Sequence, residues 1–99
     1  MSPNITQRIR RQIESLRNRG GAKSAELERL AKALGRTRHP RGSEPTWVNK
    51  RFRWLRPLTI PHHSKELKRY TVHSILDQLE EDLSAWEEEC EQGKKEGRE

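Results

Sequence analysis

The residues best suited to chemistry lie in one short stretch, residues 58–67 (LTIPHHSKEL). An apolar run of strand type ends at Pro61, two adjacent histidines follow, and a basic turn leads toward a helix that begins near Thr71. Imidazole titrates near neutral pH, so it can accept or donate a proton in a reaction. A helix N-terminus favours phosphate groups because its first backbone N–H groups have no partner within the helix. The stretch therefore predicts a site that holds a phosphate or a base.

The elements that position this stretch follow from hydrophobic spacing. A second helix is predicted from Ser24, as N-cap, to Gly35, and a closing helix from Thr71, as N-cap, with Asp82 among the acidic residues of its solvent face. Between them, short strands are predicted within residues 36–43, 46–48 and 58–60. Three short strands between two helices predict an antiparallel sheet with helices on one face, an α+β sandwich of two layers with the order αβββα.

An extra basic amphipathic helix precedes this unit, beginning near residue 3 and ending at Gly20-Gly21. Its isoleucine stripe supports packing on the domain. Its arginines support a second interpretation, an arm that adds phosphate contacts or mediates weak homo-oligomerisation. The expected organisation is a helical extension over residues 1–22, a domain over residues 23–90, and a disordered charged tail over residues 91–99.

The net charge of +6 conceals an uneven distribution. Residues 1–76 carry 18 Lys and Arg against 5 Asp and Glu, whereas residues 77–99 carry 3 against 10. The basic body predicts attraction to a polyanion, with RNA or DNA as the favoured partner. The acidic end either folds back on the basic face or keeps the protein soluble.

Cysteine content and hydropathy exclude several classes of protein and of site. Cys90 is the only cysteine, so no internal disulfide forms, and the four histidines lack metal-ligand spacing. No metal or other cofactor is expected. The sequence contains no apolar run of membrane-spanning length and no secretory signal, so we expect a soluble, cytoplasmic protein that does not associate with membranes.

Several motifs resemble the HicA family of type II toxin–antitoxin toxins. They are the opening helix at residues 23–27 (KSAEL), the Gly42-Ser43 turn, residues 59–67 (TIPHHSKEL) and residues 70–76 (YTVHSIL). The resemblance covers about residues 23–83. It implies a fold like the double-stranded-RNA-binding domain, metal-independent cleavage of mRNA, and inhibition by a HicB-type antitoxin.

The family's cleavage chemistry relies on a histidine directly after Gly-Ser, and here that position holds Glu44, followed by Pro45. Cleavage through the RNA 2′-hydroxyl needs a base for that proton and an acid for the leaving oxygen. A carboxylate is ionised at neutral pH and repels phosphate, so Glu44 replaces the histidine poorly. One hypothesis is that His62 or His63 supplies the acid or base, oriented by Glu44. The other is that these histidines contact phosphate without chemistry.

A set of basic and small polar residues is predicted to contact RNA. Its members come from the first strand, the turn, the long connection and the entry to the closing helix: Arg36, Arg38, Arg41, Ser43, Arg51, Arg53, Lys65, Lys68 and Arg69, with Arg56 beside them. Trp47, Phe52 and Trp54 either fill the core or stack on bases.

Three functions therefore compete at this stage. The first is an RNA-binding toxin that cleaves mRNA with atypical or weakened catalysis. The second is an RNA-binding member of the family that has lost the cleavage step. The third is a module whose basic surface binds an acidic antitoxin-like protein.

Overall fold

The computed structural model describes residues 1–39, 45–62 and 65–96, with side chains described through residue 91. The elements follow in the order α1 (Pro3–Arg19), α2 (Ser24–Ala33), β1 (Arg36–Arg38), β2 (Thr46–Asn49), β3 (Leu58–Thr59) and α3 (Arg69–Glu96). The strands form one antiparallel sheet in the order β1-β2-β3. The predicted α+β class is confirmed, as is the αβββα order after an additional N-terminal helix.

Helix α1 begins and ends as its sequence predicts. Ser2 is the N-cap, and its hydroxyl accepts a hydrogen bond from the Ile5 N–H. The helix stops at Gly20, whose left-handed φ of 83° suits a residue without a side chain. The stripe of Ile9, Ile13 and Leu16 is buried and belongs to the common core. Packing of the stripe on the domain is therefore confirmed, and α1 shares one core with residues 23–90.

That core lies between the sheet and the three helices. Apolar residues of α2, β2, β3 and α3 are almost fully buried there, among them Leu27, Leu34, Trp47, Leu58, Ile60, Val72, Leu76, Leu79 and Leu83. On the opposite face of the sheet, Thr37 and Thr59 are exposed and Val48 is half-buried. The helices thus occupy one face, as the two-layer prediction requires.

Helix α3 is longer than predicted at both ends. It begins at Arg69 rather than beyond Thr71, and it continues to Glu96. The predicted disordered tail from residue 91 is therefore helical up to Glu96, because Glu, Gln and Lys are good helix formers and extend a helix already anchored on the core. Residues 97–99 lie outside the described residues. No helix in the described part of the chain is long and apolar enough to cross a membrane.

The acidic face of α3 pairs with the basic helix α1. Arg17 donates hydrogen bonds to Asp77 at 2.5 Å and to Glu80 at 3.1 Å, and Arg10 pairs with Glu87. The hydrogen bond to Asp77 is the main reason that the pKa of Arg17 is raised above its ordinary value. Part of the acidic end is therefore paired with the basic helix α1.

A buried ion pair joins the sheet to α3. Arg36 and Asp82 are 2% and 0% exposed, and two hydrogen bonds of 2.7 and 2.8 Å connect guanidinium and carboxylate. Arg36 also donates to the carbonyl oxygens of Trp47 and Arg56, while the Asn49 amide donates to Asp82 and to the Leu34 carbonyl. Two predictions are corrected. Arg36 is enclosed in the interior and cannot contact RNA, and Asp82 does not lie on a solvent face.

Candidate nucleic-acid interface

The end of β3 leads into an exposed corner around Pro61 and His62. Ile60 is fully buried, and its N–H bonds to the Pro45 carbonyl at 3.2 Å. The Ser24 hydroxyl donates to the Pro61 carbonyl at 2.5 Å, so the predicted N-cap is instead the first residue of α2 and ties that helix to the corner. The backbone is thus held immediately before His62, which lies on the surface.

His62 lies beside a carboxylate that the sequence did not single out. Its Nδ1 atom is 3.5 Å from Glu28 Oε2, and the histidine side chain is 74% exposed. Glu28 is on α2, one helical turn before Lys32, and only 21% of its side chain is exposed. A carboxylate at this distance is placed to orient the ring. The sequence offered no signal for this role, since Glu28 resembles any acidic residue of a solvated helix.

Four of the predicted site residues lie outside the described part of the chain. They are Arg41, Ser43, Glu44 and His63. The proposed orientation of a histidine by Glu44 therefore stays a prediction.

The remaining histidines divide between two regions. His39 follows β1, and its N–H bonds to the Thr46 carbonyl at 2.7 Å, so it lies at the same end of the sheet as Pro45 and Ile60. His73 is on α3, where its Nε2 atom is 3.3 Å from the Arg17 carbonyl oxygen. His73 thus belongs to the contact between α1 and α3.

Two concavities flank the corner. One, of about 410 Å³, lies where the chain enters α3, and its lining includes Pro61, Lys65, Lys68 and Tyr70. The side chain of Tyr70 is 74% exposed, the largest exposure among the aromatic residues described. The two lysines belong to the predicted RNA-binding set. This concavity therefore combines cations with an exposed ring, a combination that suits a nucleotide.

The second concavity, of about 470 Å³, lies between α2 and the edge strand β1. Its lining includes Glu28, Lys32, Arg38 and Trp47. The Lys32 ammonium is 5.7 Å from the centre of the Trp47 ring, a cation–π distance. Trp47 is 3% exposed, so of its two predicted roles the structure supports the core. Glu28 also contacts His62, which places this concavity next to the corner.

The connection between β2 and β3 presents a different set of groups. The Asn49 side-chain oxygen accepts hydrogen bonds from the N–H groups of Arg51 and Phe52, which turns the chain back toward α3. Phe52 packs edge-on against Trp86 at 4.9 Å, whereas Trp54 is 70% exposed. Phe52 therefore packs within the protein, and Trp54 is available for a partner.

The predicted RNA-binding cations differ in whether an acidic residue already holds them. Arg51 pairs with Glu89, which raises the pKa of the guanidinium. A second group is exposed, and no carboxylate pairs with its members within the described residues: Arg38, Arg53, Arg56, Lys65, Lys68 and Arg69. Nor does any group of three His, Cys, Asp or Glu side chains in the described ranges form a site that would hold a metal ion.

Comparison with known proteins identifies the family. Residues 24–80 match the family described as HicA toxin of bacterial toxin–antitoxin systems. The matched segment contains α2, the three strands and the first part of α3, and it includes the His62–Glu28 contact. No match was found among curated proteins or among solved structures. Since the matched segment covers more than half of its residues, the chain belongs to the HicA toxin family of bacterial toxin–antitoxin systems.

Proposed function

We propose that this HicA-family toxin binds RNA at the corner formed by the end of β3 and the entry to α3. One observation carries the proposal. Lys65, Lys68 and Arg69 are exposed at the entry to α3, where the two lysines share a concavity with Pro61. None of the three has a carboxylate partner among the described residues, although α3 is rich in acidic residues. Acidic residues of α3 instead pair with Arg10 and Arg17.

Recognition at this corner rests on phosphate contacts. A-form RNA is recognised mainly by shape, with cations on phosphates and polar groups on 2′-hydroxyls. Lys65, Lys68 and Arg69 supply the cations, and Arg38 extends the set across the second concavity. The exposed aromatic ring of Tyr70 supports an additional contact with an unpaired base.

RNA cleavage is the activity that this binding serves. In the proposed step, a base removes the proton of the 2′-hydroxyl, the 2′-oxygen attacks phosphorus, and the bond from phosphorus to the 5′-oxygen breaks as an acid protonates that oxygen. The products are a 2′,3′-cyclic phosphate and a 5′-hydroxyl. We assign proton transfer to His62, with Glu28 as the group that orients the ring, and His63 as the second candidate. No metal ion takes part.

The test is an RNA-cleavage assay on structured and unstructured RNA between pH 5 and 8. We expect cleavage to yield cyclic-phosphate ends, to fall at least about 100-fold in His62→Ala, and to fall less in Glu28→Gln. Intact RNA across the whole pH range with the parent protein would eliminate the catalytic part. RNA binding measured on the same samples tests the binding part separately.

A second candidate function is favoured by Glu44. A carboxylate at the family's histidine position repels phosphate and cannot protonate a leaving group at neutral pH. In this alternative the protein binds RNA or its antitoxin without cleavage. Glu44→His distinguishes the two, since it creates RNA cleavage and growth arrest if only the cleavage step was lost. If the parent protein already cleaves RNA, and Glu44→His leaves the rate unchanged, the alternative is rejected.

Membership in a toxin–antitoxin family implies an antitoxin partner. We propose a HicB-like protein for that role and the cytoplasm as the place of action. Co-expression with the product of a neighbouring gene tests both the complex and the relief of growth arrest.

A further inference from the structure

We propose that the groove between α1 and α2 binds an acidic amphipathic helix of a partner protein. The groove has a volume of about 580 Å³. Arg8, Arg11 and Arg29 line its rim, and its floor includes Leu16, Leu30 and Ala33. Helix α1 lies outside residues 24–80, so half of this surface is an addition to the family domain. The inference is independent of RNA binding at the corner.

The arginines of α1 lie on two opposite flanks of its buried stripe. On the first flank, Arg10 and Arg17 pair with Glu87, Asp77 and Glu80 of α3. On the second flank, Arg8 and Arg11 are exposed and face the groove together with Arg29 of α2. None of these three arginines forms an ion pair within the described residues.

The flank of α1 that packs against α3 indicates which kind of element the flank facing the groove can bind. Helix α3 contributes apolar side chains to the stripe of α1 and carboxylates to its arginines. The open groove presents the same combination, an apolar floor between cationic rims. Helices α1 and α2 each pack on α3, so neither closes the space between them. An acidic helix with an apolar stripe complements both features of the groove.

A carboxylate already present does not neutralise the rim. Glu26 lines the groove, but its oxygen accepts a hydrogen bond from Arg19 at 2.5 Å and another from the Lys23 N–H at 2.9 Å. RNA is less suited to this surface, because phosphates would use the arginines and leave the apolar floor without a partner. Ala33 is exposed on that floor, where a larger polar side chain would obstruct a docked helix.

The probe is a fluorescein-labelled peptide with the sequence of residues 74–91, carrying Ser in place of Cys90. It has the required acidic and apolar stripes, and α3 shows that this sequence is helical. We expect saturable binding to the full chain by fluorescence anisotropy, weakening as salt is added. A second peptide with its leucines replaced by serine keeps the charge and is expected not to bind.

The decisive variant is Arg8→Glu/Arg11→Glu/Arg29→Glu, expected to weaken peptide binding at least about tenfold. The matched control, Lys65→Glu/Lys68→Glu/Arg69→Glu, has the same net charge and is expected to keep peptide affinity within about threefold. Ala33→Gln is expected to lower the affinity for the peptide and leave the affinity for RNA unchanged. Circular dichroism checks that each variant is folded.

Several outcomes would overturn the proposal. The first is that the peptide shows no saturable binding to the parent chain. The second is that both triple variants lose the same peptide affinity. The third is that the groove variant loses RNA affinity and keeps peptide affinity. A concentration-dependent dimer that only the groove variant abolishes would assign the groove to a second copy of this chain. Loss of peptide binding in Arg10→Ala, with the groove variant unaffected, would place the peptide at the position of α3.

Discussion

Two contacts between a basic residue and a carboxylate in this protein have opposite surroundings. Arg36 and Asp82 are enclosed, share two hydrogen bonds, and join β1 to α3. His62 and Glu28 meet at 3.5 Å on the surface, with the histidine largely exposed. The first contact satisfies both charges within the protein and leaves nothing for a ligand. The second leaves most of the histidine accessible, which is what an RNA-facing group requires.

The comparison shows that residue type alone does not separate structural from functional cations. Arg36 and Arg38 are two positions apart on β1, yet Arg36 is 2% exposed whereas Arg38 is exposed on the surface. Arg36 is identified as structural by its buried partners, whereas no carboxylate among the described residues pairs with Arg38, which is proposed to contact RNA.

The largest expected effect follows removal of Asp82. Asp82→Ala leaves the Arg36 guanidinium buried without its counter-ion, and breaking such a pair costs about 3–5 kcal/mol. We expect that loss in the free energy of unfolding, measured by urea denaturation. Glu81→Ala, at the exposed neighbouring position, is the control and should change stability by less than about 0.5 kcal/mol. Similar values for the two variants would contradict the structural role of the buried pair.

A smaller effect is expected where α1 meets α3. Arg17→Gln removes contacts with Asp77 and Glu80, and the arginine side chain is 24% exposed. The free energy of unfolding should fall by about 1 kcal/mol, since partly exposed pairs contribute little. The loss should shrink in 1 M NaCl, where surface charges are screened. A loss as large as that of Asp82→Ala would remove the difference between buried and exposed pairs.

A pH-dependent effect is expected at Glu26. Its hydrogen bond from Arg19, and then that from the Lys23 N–H, lowers the pKa of Glu26 below its ordinary value of 4.5. The charged form therefore stabilises the fold above about pH 4.5, and this contribution disappears as the pH falls through the lowered value. We expect Glu26→Gln to cost about 0.5 kcal/mol at pH 7.

The measurement is urea denaturation of the parent and the variant at pH 7 and at pH 3. The difference in the free energy of unfolding between parent and variant should be smaller at pH 3 than at pH 7. A difference that widens in acid would show that the sign of this linkage is wrong.

The smallest stability effect is expected at the corner. His62→Ala should change the free energy of unfolding by less than about 0.5 kcal/mol, because the side chain is 74% exposed. Thermal denaturation measures this directly, with Ile60→Ala as a destabilising comparison in the buried part of the same segment. A large loss at His62 would make it a structural residue like Arg36.

The sequence predicted the elements better than the roles of their charges. Hydrophobic spacing and glycine stops predicted α1 and the order of helices and strands along the chain, because burial and turn geometry act locally. The same spacing also indicates the position of Asp82. Asp82 lies three residues after Leu79 and four before Trp86, which places it at the edge of the apolar face.

Other features could not be predicted because they depend on contacts between distant segments. Glu28 and His62 are 34 positions apart, and only the packing of α2 against the end of β3 brings them together. Arg36 and Asp82 are likewise joined by the tertiary fold. The groove between α1 and α2 needs the position of both helices on α3, which no local pattern specifies.

The most direct test compares two variants of equal net charge in RNA binding. Lys65→Ala/Lys68→Ala/Arg69→Ala removes three exposed cations at the corner, and Arg8→Ala/Arg11→Ala/Arg29→Ala removes three at the groove. The measurement is the affinity for a 20-base-pair RNA as a function of salt. We predict that the corner variant binds RNA at least about tenfold more weakly than the parent. The magnitude of the slope of log K against log salt should decrease by about 2 to 3. The groove variant should match the parent in both quantities. Equal losses in the two variants, or binding that is insensitive to salt, would contradict the assignment of the corner as the RNA-binding surface.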